Sequence, residues 1–307
     1  MKKLLFTIGM LMGLGEVYAD VVVVDASGLG DYTLVSDAIT NTTTGDTIYI
    51  VGSGASYGNV SLNSQRTFMG NGYYGQSSGY SPSSRLGTIT LNVGAANSVF
   101  SNLEIGAISF NESNVVFNAC LVNGSLTVGS SISNISFNRC LFSSTINIQS
   151  ASVSFSNSIF NYPSAGNGIT VSGGVGATFD YCTFFDGNIS LDASTVSNSV
   201  VNSSRVGQTP SSISDGVGGN KVDSEITLLF ETSLGADAYF QLQSSSPGKT
   251  SSQTGSESGA FGFPTGQPED AYILSGLPVI PKITGLEFGS STNSASNLSI
   301  RIQATSN

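Results

Sequence analysis

Few residues in this 307-residue chain have side chains suited to catalysis, and histidine is absent from it. Between residues 89 and 205 the only basic side chains are Arg139 and Arg205. The acidic side chains of the same stretch are Glu104, Glu112, Asp180, Asp186 and Asp192. A carboxylate beside a base can act in general acid–base catalysis. The sequence leaves open a site made of Asp180, Asp186 and Arg139, but these acids are scattered, so we interpret each charge as a solvated one.

The three cysteines occupy one position of a repeated phrase. V-V-F-N-A-C-L-V (115–122) returns as I-S-F-N-R-C-L-F and again as A-T-F-D-Y-C-T-F. In the aligned repeats this position holds Leu103, Cys120, Cys140, Ser158, Cys182 and Ser199. Such a column suits a small, soft side chain in a corner of a core. We expect free, buried thiols; a Cys120–Cys140 disulfide is the alternative, and no metal site is expected, since closely spaced cysteine pairs are absent.

Aromatic side chains cluster in the loop 71–85, which reads N-G-Y-Y-G-Q-S-S-G-Y-S-P-S-S-R. Tyr73, Tyr74 and Tyr80 are candidates for stacking on sugar rings, because an aromatic face offers an apolar platform with a polar rim. The same tyrosines can instead pack against the chain beneath them. The sequence does not decide between these two interpretations.

The elements that must position these residues follow from the repeat. The phrase beginning with Phe or Val starts at residues 100, 117, 137, 155, 179 and 196, so the spacing is close to twenty. Each copy follows an apolar-polar-apolar triplet, such as I-S-F at 108 or L-T-V at 126. Short alternating runs separated by Gly, Asn and Ser predict strands and turns, and a period near twenty predicts a solenoid. We therefore predict an all-β, single-stranded parallel β-helix with three strands per coil.

In the second full repeat these strands are predicted at 108–110, 115–117 and 120–122, with a tight bend at 118–119. The residue before the cysteine column is often Asn, which tolerates the left-handed backbone of such a bend. We expect these Asn side chains to form a partial ladder between coils and to have no catalytic role.

The first strand of each coil is predicted to present an uncharged outer face. Its central outward residues are Thr90, Ser109, Thr127, Asn147, Thr170 and Ser190. A flat wall of this kind suits sugar hydroxyls or ordered water, and Thr90, Thr127 and Thr170 are the candidate ligand-binding residues. The alternative is that these polar residues merely solvate a sheet.

The third strand is predicted to present a different outer face, which holds Glu104, Leu121, Leu141, Ile159, Thr183 and Val200. Four apolar side chains in such a column are too many to leave in water. We expect the later part of the chain to cover them, and residues 226–242 are apolar enough to do so.

The N-terminal V-V-D-A-S-G-L-G-D-Y-T-L-V-S-D-A-I (23–39), followed by G-D-T-I-Y-I (45–50), resembles the opening of pectin-lyase-like right-handed parallel β-helix proteins. The resemblance implies a helical cap at Leu34 to Ile39, which would cover the first coil. It extends over nearly the whole chain after the leader and identifies the protein as similar to secreted bacterial members of that superfamily. The resemblance indicates the fold specifically, but it says little about activity, because the superfamily contains lyases, hydrolases, esterases and adhesins.

The resemblance also implies which catalytic residues an enzyme of this fold would need. Lyases use clustered carboxylates holding Ca²⁺, with a base that removes a proton. Hydrolases use clustered Asp residues, and esterases a paired Asp with an Arg. The chain shows neither a paired-Asp motif nor an Asp cluster within one repeat.

Residues 1–19 have a basic start, a short apolar run and a small-residue cleavage signal, so we expect a signal peptide and a secreted, extracellular or cell-surface protein without a transmembrane segment in the mature chain. The further predicted parts are the capped β-helix (20–205), C-terminal coils or a capping segment (206–265), and a tail or small attachment module (266–307). The net charge of −10 disfavours nucleic acid as a partner.

These observations favour a secreted, non-catalytic β-helix protein associated with a surface or matrix, which binds a polysaccharide or cell-surface glycan. We expect it to use no cofactor. The alternative is a polysaccharide lyase or glycoside hydrolase of the pectin-lyase-like superfamily, and Ca²⁺ would be required only in the lyase case.

Overall fold

The computed structural model describes residues 19–74, 82–150, 152–163, 168–207, 213–264 and 267–275, together with the backbone of 282–288 and 300–305. Apart from its last residue, the predicted signal peptide lies outside these ranges, as does Tyr80.

Strands are the main regular secondary structure among the described residues. In chain order they are β1 (Val21–Val24), β2 (Thr47–Ile50), β3 (Val60–Leu62), β4 (Thr67–Gly70), β5 (Arg85–Leu91), β6 (Val99–Ser101), β7 (Glu104–Phe110), β8 (Val115–Asn118), β9 (Leu121–Val122), β10 (Leu126–Val128), β11 (Ile135–Asn138), β12 (Leu141–Phe142), β13 (Ile146–Ile148), β14 (Val153–Ser156), β15 (Ile159–Asn161), β16 (Gly168–Val171), β17 (Thr178–Asp180), β18 (Thr183–Asp186), β19 (Asn188–Leu191), β20 (Thr195–Ser197), β21 (Val200–Asn202), β22 (Lys221–Asp223), β23 (Lys282–Phe288) and β24 (Ile300–Thr305). The helices are α1 (Val35–Asn41), α2 (Glu225–Leu228) and 3-10 turns at Val217–Gly219, Ala236–Phe240, Pro247–Thr250 and Pro268–Asp270.

The strands stack into a parallel β-solenoid of about eight turns, which confirms the predicted right-handed parallel β-helix class. A nine-stranded sheet runs β1-β2-β4-β6-β8-β11-β14-β17-β20 and contains the second strand of each coil. A thirteen-stranded sheet contains the first and third strands together. They share one sheet because β5 and β7 each combine the third strand of one coil with the first strand of the next.

A ladder of aromatic rings fills the interior beside the nine-stranded sheet. It consists of Phe68, Phe100, Phe117, Phe137, Phe155 and Phe179, one from each successive strand. Neighbouring rings are stacked with centroids 4.9–5.1 Å apart. This separation matches the distance between adjacent strands, so the ring stack and the strand pairing satisfy the same spacing.

The predicted inward column is confirmed. Leu103, Cys120, Cys140, Ser158, Cys182 and Ser199 are all fully buried. The three cysteines are free thiols, and burial raises the pKa of Cys182. The column therefore contributes packing rather than cross-links.

Helix α1 closes the N-terminal end of the core. Val35 and Ala38 are buried in the main hydrophobic cluster together with Val24 and Ile48. The sequence placed this cap at Leu34 to Ile39, and the helix indeed begins directly after Leu34. The cap keeps the edge of the first coil from exposing its apolar interior.

The later chain covers the outer face of the third strands, as expected. Residues 225–275 are termed the covering segment below. Leu121, Leu141, Ile159 and Val200 from the coils form a second buried cluster with covering-segment residues that include Leu228, Phe230, Phe240, Leu242, Ala260 and Tyr272. Within the predicted 226–242 stretch, apolar side chains thus take the position that the sequence indicated.

The C-terminal tail contains an antiparallel pair formed by β23 and β24. Both strands lie within residues 266–307, for which the sequence predicts a tail or small attachment module. An attachment role for this pair stays a prediction.

Phe137→Ala should destabilise the protein by about 3–5 kcal/mol, because it leaves a cavity between two stacked rings and beside Phe142. Chemical denaturation monitored by far-UV circular dichroism measures the free energy of unfolding. Val93→Ala is the matched control, since Val93 is 79% exposed. A loss for Phe137→Ala as small as that of the control would contradict the ladder.

Native protein should react slowly with a thiol reagent, whereas denatured, non-reduced protein should react at three thiols per chain. The reason is that all three thiols are buried away from solvent and from the reagent. Spectrophotometric thiol titration gives both values, and a single thiol in the denatured chain would mean that a disulfide had formed.

Candidate functional site

The first strands present a column of outward side chains without charge. Strand pairing places its members on consecutive coils in the order Ser61, Thr90, Ser109, Thr127, Asn147, Thr170 and Ser190. This column is termed the neutral face. All of its side chains are at least partly exposed, while the neighbours on either side along each strand point into the core. The arrangement puts Thr90, Thr127 and Thr170 in one line; their ligand-binding role stays a prediction.

The tyrosine loop borders a cavity of about 430 Å³. Its lining includes Tyr73, Tyr74, Arg85, Glu104 and Leu121. Arg85 Nε lies 2.8 Å from Glu104 Oε1, so the buried carboxylate and the half-exposed guanidinium form an ion pair at the cavity wall. Asn123 Nδ2 donates to the same carboxylate oxygen at 3.0 Å.

Tyr73 does not present its ring to solvent, because its side chain is 4% exposed. Its hydroxyl is hydrogen-bonded to that of Tyr272, which donates to Asp237 Oδ2 at 3.0 Å. The backbone N–H of Ser275 donates to the same oxygen at 2.7 Å. Tyr73 therefore follows the second of the two interpretations and packs within the protein, joining the coils to the covering segment.

Tyr74 is half-buried, and its ring lies tilted against that of Tyr73 with centroids 5.1 Å apart. Its N–H donates to Ser275 Oγ at 3.1 Å. Tyr80 lies outside the described residues. Sugar binding by Tyr74 and Tyr80 stays a prediction.

A second cavity, of about 450 Å³, lies where the nine-stranded sheet turns towards the third strands. It is termed the ladder cleft. The sheet contributes Asn118, Asn138, Ser156 and Asp180; the bends contribute Arg139, Asn157 and Tyr181; the covering segment contributes Pro264 and Asp270. These residues form a floor of stacked polar side chains with one wall from the covering segment.

The floor is a hydrogen-bonded side-chain ladder. Asn138 Nδ2 donates to Asn118 Oδ1 at 3.0 Å, and Ser156 Oγ donates to Asn138 Oδ1 at 2.7 Å. In the next coil Asp180 stands in register with Ser156. The ladder predicted at the bend residues is therefore wrong in position: the bonded side chains lie one residue earlier and include one Asn pair, Asn118 and Asn138, followed by Ser156.

The bend residues themselves have another role. Asn102, Ala119, Arg139, Asn157, Tyr181 and Asn198 all have the left-handed backbone that the bend requires, with φ between 45° and 58°. This backbone directs their side chains outward. Asn157 Nδ2 donates to the carbonyls of Ala260 at 2.9 Å and Gly262 at 2.6 Å, and Asn198 Oδ1 accepts from the Gln253 N–H at 2.9 Å. Asn157 and Asn198 thus bond to the covering segment and not to each other.

The structure brings together two of the three candidate catalytic residues. Arg139 and Asp180 line the ladder cleft. Asp186 does not; its Oδ2 lies 3.8 Å from Arg205 Nη1, and Arg205 also pairs with Glu225 at 2.9 Å. Asp186 therefore belongs to an ion-pair group with Arg205 and Glu225 rather than to the cleft, and the three residues do not form one site.

Arg139 is engaged by the covering segment. It donates to the backbone carbonyls of Glu269 and Asp270, and its Nη2 lies 3.8 Å from Asp270 Oδ1. Asp270 was not identified from the sequence, because no repeat pattern extends to it. Asn118 and Asn138 were identifiable, since each directly follows a Phe of the repeated phrase.

Among the residues with described positions, no three Cys, Asp or Glu side chains form a group that could hold a metal ion. None of the described helices is long and apolar enough to cross a membrane.

A scan of the sequence against protein-family models finds no match, and neither does a search of the curated proteins. Function is therefore inferred from the fold and from the geometry of these surfaces.

The stability that Asp237 contributes should decrease as the pH rises. Burial raises the pKa of this carboxyl, although hydrogen bonds from Ser275 and Tyr272 oppose the shift. Because the folded-state pKa is above the unfolded one, the folded protein is favoured below the unfolded value near 3.8 and loses this advantage as the pH passes through the folded value. The free energy of unfolding, measured as the pH rises above this unfolded value, should fall more steeply in wild type than in Asp237→Asn, which lacks this carboxyl.

Asp37→Asn is the control, because Asp37 is exposed on α1. Asp237→Ala should cost about 1–3 kcal/mol, since it leaves the Tyr272 hydroxyl and the Ser275 N–H without their acceptor. If the free energy of unfolding depends on pH identically in wild type and Asp237→Asn, the raised pKa of Asp237 is contradicted.

Proposed function

We propose that this protein is a secreted, non-catalytic β-helix that binds a neutral polysaccharide along the neutral face. The observation that supports the proposal is the unbroken register of uncharged polar residues over seven consecutive coils, from Ser61 to Ser190. Six inter-strand steps of about 4.8 Å make this column about 29 Å long. An extended chain molecule can contact such a surface at regular intervals.

Charge selects the class of polysaccharide. The chain carries a net charge of −10, which repels polyanions such as uronate polymers and nucleic acids. The neutral face offers no cation to offset that repulsion, whereas its hydroxyl and amide groups can donate to and accept from sugar hydroxyls. A neutral glycan is therefore the favoured ligand.

The proposal includes membership of the pectin-lyase-like superfamily and export from the cell. Membership is supported by helix α1, which begins where the resemblance implies a cap, and by the three-strand coil. Export is supported by the predicted leader at residues 1–19 and by the polar, charge-poor composition of the chain. Together they favour a protein that works at a cell surface or in an extracellular matrix.

A lyase or hydrolase is the second candidate, and one observation favours it. Arg139 and Asp180 line the same cleft, so a carboxylate and a basic group are available together. Arg139 is engaged by Asp270 and by two carbonyls, which makes it a poor proton acceptor. For this reason we favour the binding function over the enzyme candidate.

Thr127→Lys should weaken binding to an insoluble neutral polysaccharide about tenfold or more, because the long side chain holds a flat ligand away from the middle of the neutral face. Co-sedimentation with cellulose, xylan, mannan and starch measures the effect. The matched control is Thr178→Lys, since Thr178 is an exposed outward residue of β17 in the other sheet.

If wild type and Thr127→Lys co-sediment equally with every polysaccharide that wild type binds, the neutral face is not the binding site. Reducing-end and unsaturated-product assays, with and without Ca²⁺, accompany the experiment. Release of either product by wild type would make the enzyme candidate correct.

A further inference from the structure

The last two strands, β23 and β24, form a two-stranded antiparallel sheet of their own, which is termed the tail sheet. Residues directly opposite each other in such a pair lie on the same face of the sheet. One face therefore combines Ile283 with Ala304, Leu286 with Ile302, and Phe288 with Ile300. The other face combines Lys282 with Thr305, Gly285 with Gln303, and Glu287 with Arg301. The first of these faces is wholly apolar and is termed the tail face.

One extra residue in β23 keeps the two faces separate. Thr284 has no opposite residue, because the register of the pair shifts between Ile283 and Gly285. Successive residues of a strand alternate between the two faces, so an unbroken β23 would place Ile283 among the polar residues and Lys282 among the apolar ones. The bulge restores Ile283 to the apolar set. The irregularity of the strand thus completes the tail face.

A two-stranded sheet with an apolar face needs a second layer. An isolated pair of strands is marginal in water and gains stability when its apolar face packs against another element. The apolar column of the coils cannot supply this layer, because Leu141, Ile159 and Val200 are already buried under the covering segment. The large apolar residues exposed elsewhere in the described ranges are spread over many turns and strand ends: Val21, Leu29, Leu34, Val93, Val217, Leu234 and Ile273.

A second copy of the tail face matches it in size, flatness and lack of charge. Two sheets of this kind stack face to face about 10 Å apart. The tail strands carry Lys282, Arg301 and Glu287, which gives 2 − 1 = +1, whereas the other residues of the chain give 8 − 19 = −11. Two copies of this acidic chain therefore repel each other least where their tail sheets meet.

The area of the tail face sets the strength of such a contact. Its large members are Ile283, Leu286, Phe288, Ile300 and Ile302. Covering one residue of this type removes about 60–120 Å² from water, so two copies together bury about 600–1,200 Å². Interfaces of this size belong to weak, reversible complexes. The contact is therefore a monomer–dimer equilibrium that depends on protein concentration.

We propose that the tail face pairs with the tail face of a second copy of this chain, so that two tail sheets form a two-layer sandwich. The contact is two-fold symmetric, because both copies contribute the same residues. The dimer carries two neutral faces, so a long polysaccharide that binds one of them meets the second at a raised effective concentration. Only this last consequence rests on the proposed function.

Sedimentation equilibrium tests the pairing without any polysaccharide. The protein is the chain from Asp20 to Asn307, and wild type should pass from monomer to dimer as its concentration rises from low micromolar to submillimolar. Ile302→Lys, in the middle of the tail face, should weaken the association about tenfold or more, because it brings like charges together in an apolar contact. Leu286→Lys, directly opposite, should have the same effect.

Gln303→Lys is the matched control, because it adds the same charge at the next residue on the other face and should associate as wild type does. The denaturation midpoint of the coils should stay unchanged in all three variants, since β24 pairs with β23 and with neither solenoid sheet. The proposal is overturned if wild type remains monomeric, if Ile302→Lys associates as wild type does, or if Gln303→Lys weakens the association equally.

A mixing experiment identifies the surface that the tail face contacts. Labelled Ile302→Lys should not associate with unlabelled wild type, because the sandwich needs an intact tail face from both copies. Association in this mixture would mean that the tail face of wild type binds another part of the partner, and it would overturn the proposal. Co-sedimentation of monomeric wild type with phosphatidylcholine vesicles, lost in Ile302→Lys, would overturn it in favour of a lipid surface.

Discussion

The stacking of one phenylalanine ring per coil is the contact on which the rest of this structure depends. Each ring lies within about 5 Å of the next, from Phe68 to Phe179, and so fixes both the distance between coils and their register. A slip of one residue would place each ring on the outer surface. With the register fixed, the bend residue lies two positions after each Phe in the chain. The residue of the cysteine column lies one position after the bend residue.

The same register explains why the outer surfaces differ in character. The residue after each ring in the central coils points outward and builds the polar ladder from Asn118 to Asp180. The following residue has the left-handed backbone, and at Arg139, Asn157 and Tyr181 its side chain reaches the covering segment. Two adjacent positions of one short phrase thus supply the polar floor of the ladder cleft and an attachment for the part of the chain that borders it.

Features that repeat were predictable from the sequence, because each recurs at a spacing near twenty. These include the coil, the inward column that holds Cys120, the outward column that holds Leu121, and the neutral face that holds Thr127. The wall residue Asp270 was not predictable, since it belongs to the covering segment, which has no repeat. The pairing of Asp186 with Arg205 was not predictable either, because Arg205 follows the last copy of the repeated phrase. Burial of Tyr73 was one of two open interpretations; it depends on Tyr272 and Asp237, which are distant in sequence and bear no local signal.

The bonds between the coils and the covering segment have a consequence for the order of folding. Contacts between neighbouring coils join residues about twenty positions apart, so each coil can add to the previous one at a small loop-closure cost. The pair Tyr73 and Tyr272 instead joins residues 199 positions apart, and Arg139 meets Glu269 across 130. Contacts of this separation are slow to form. The covering segment therefore docks after the coils are stacked, and a nascent chain has to keep the apolar column around Leu141 from other chains until it does.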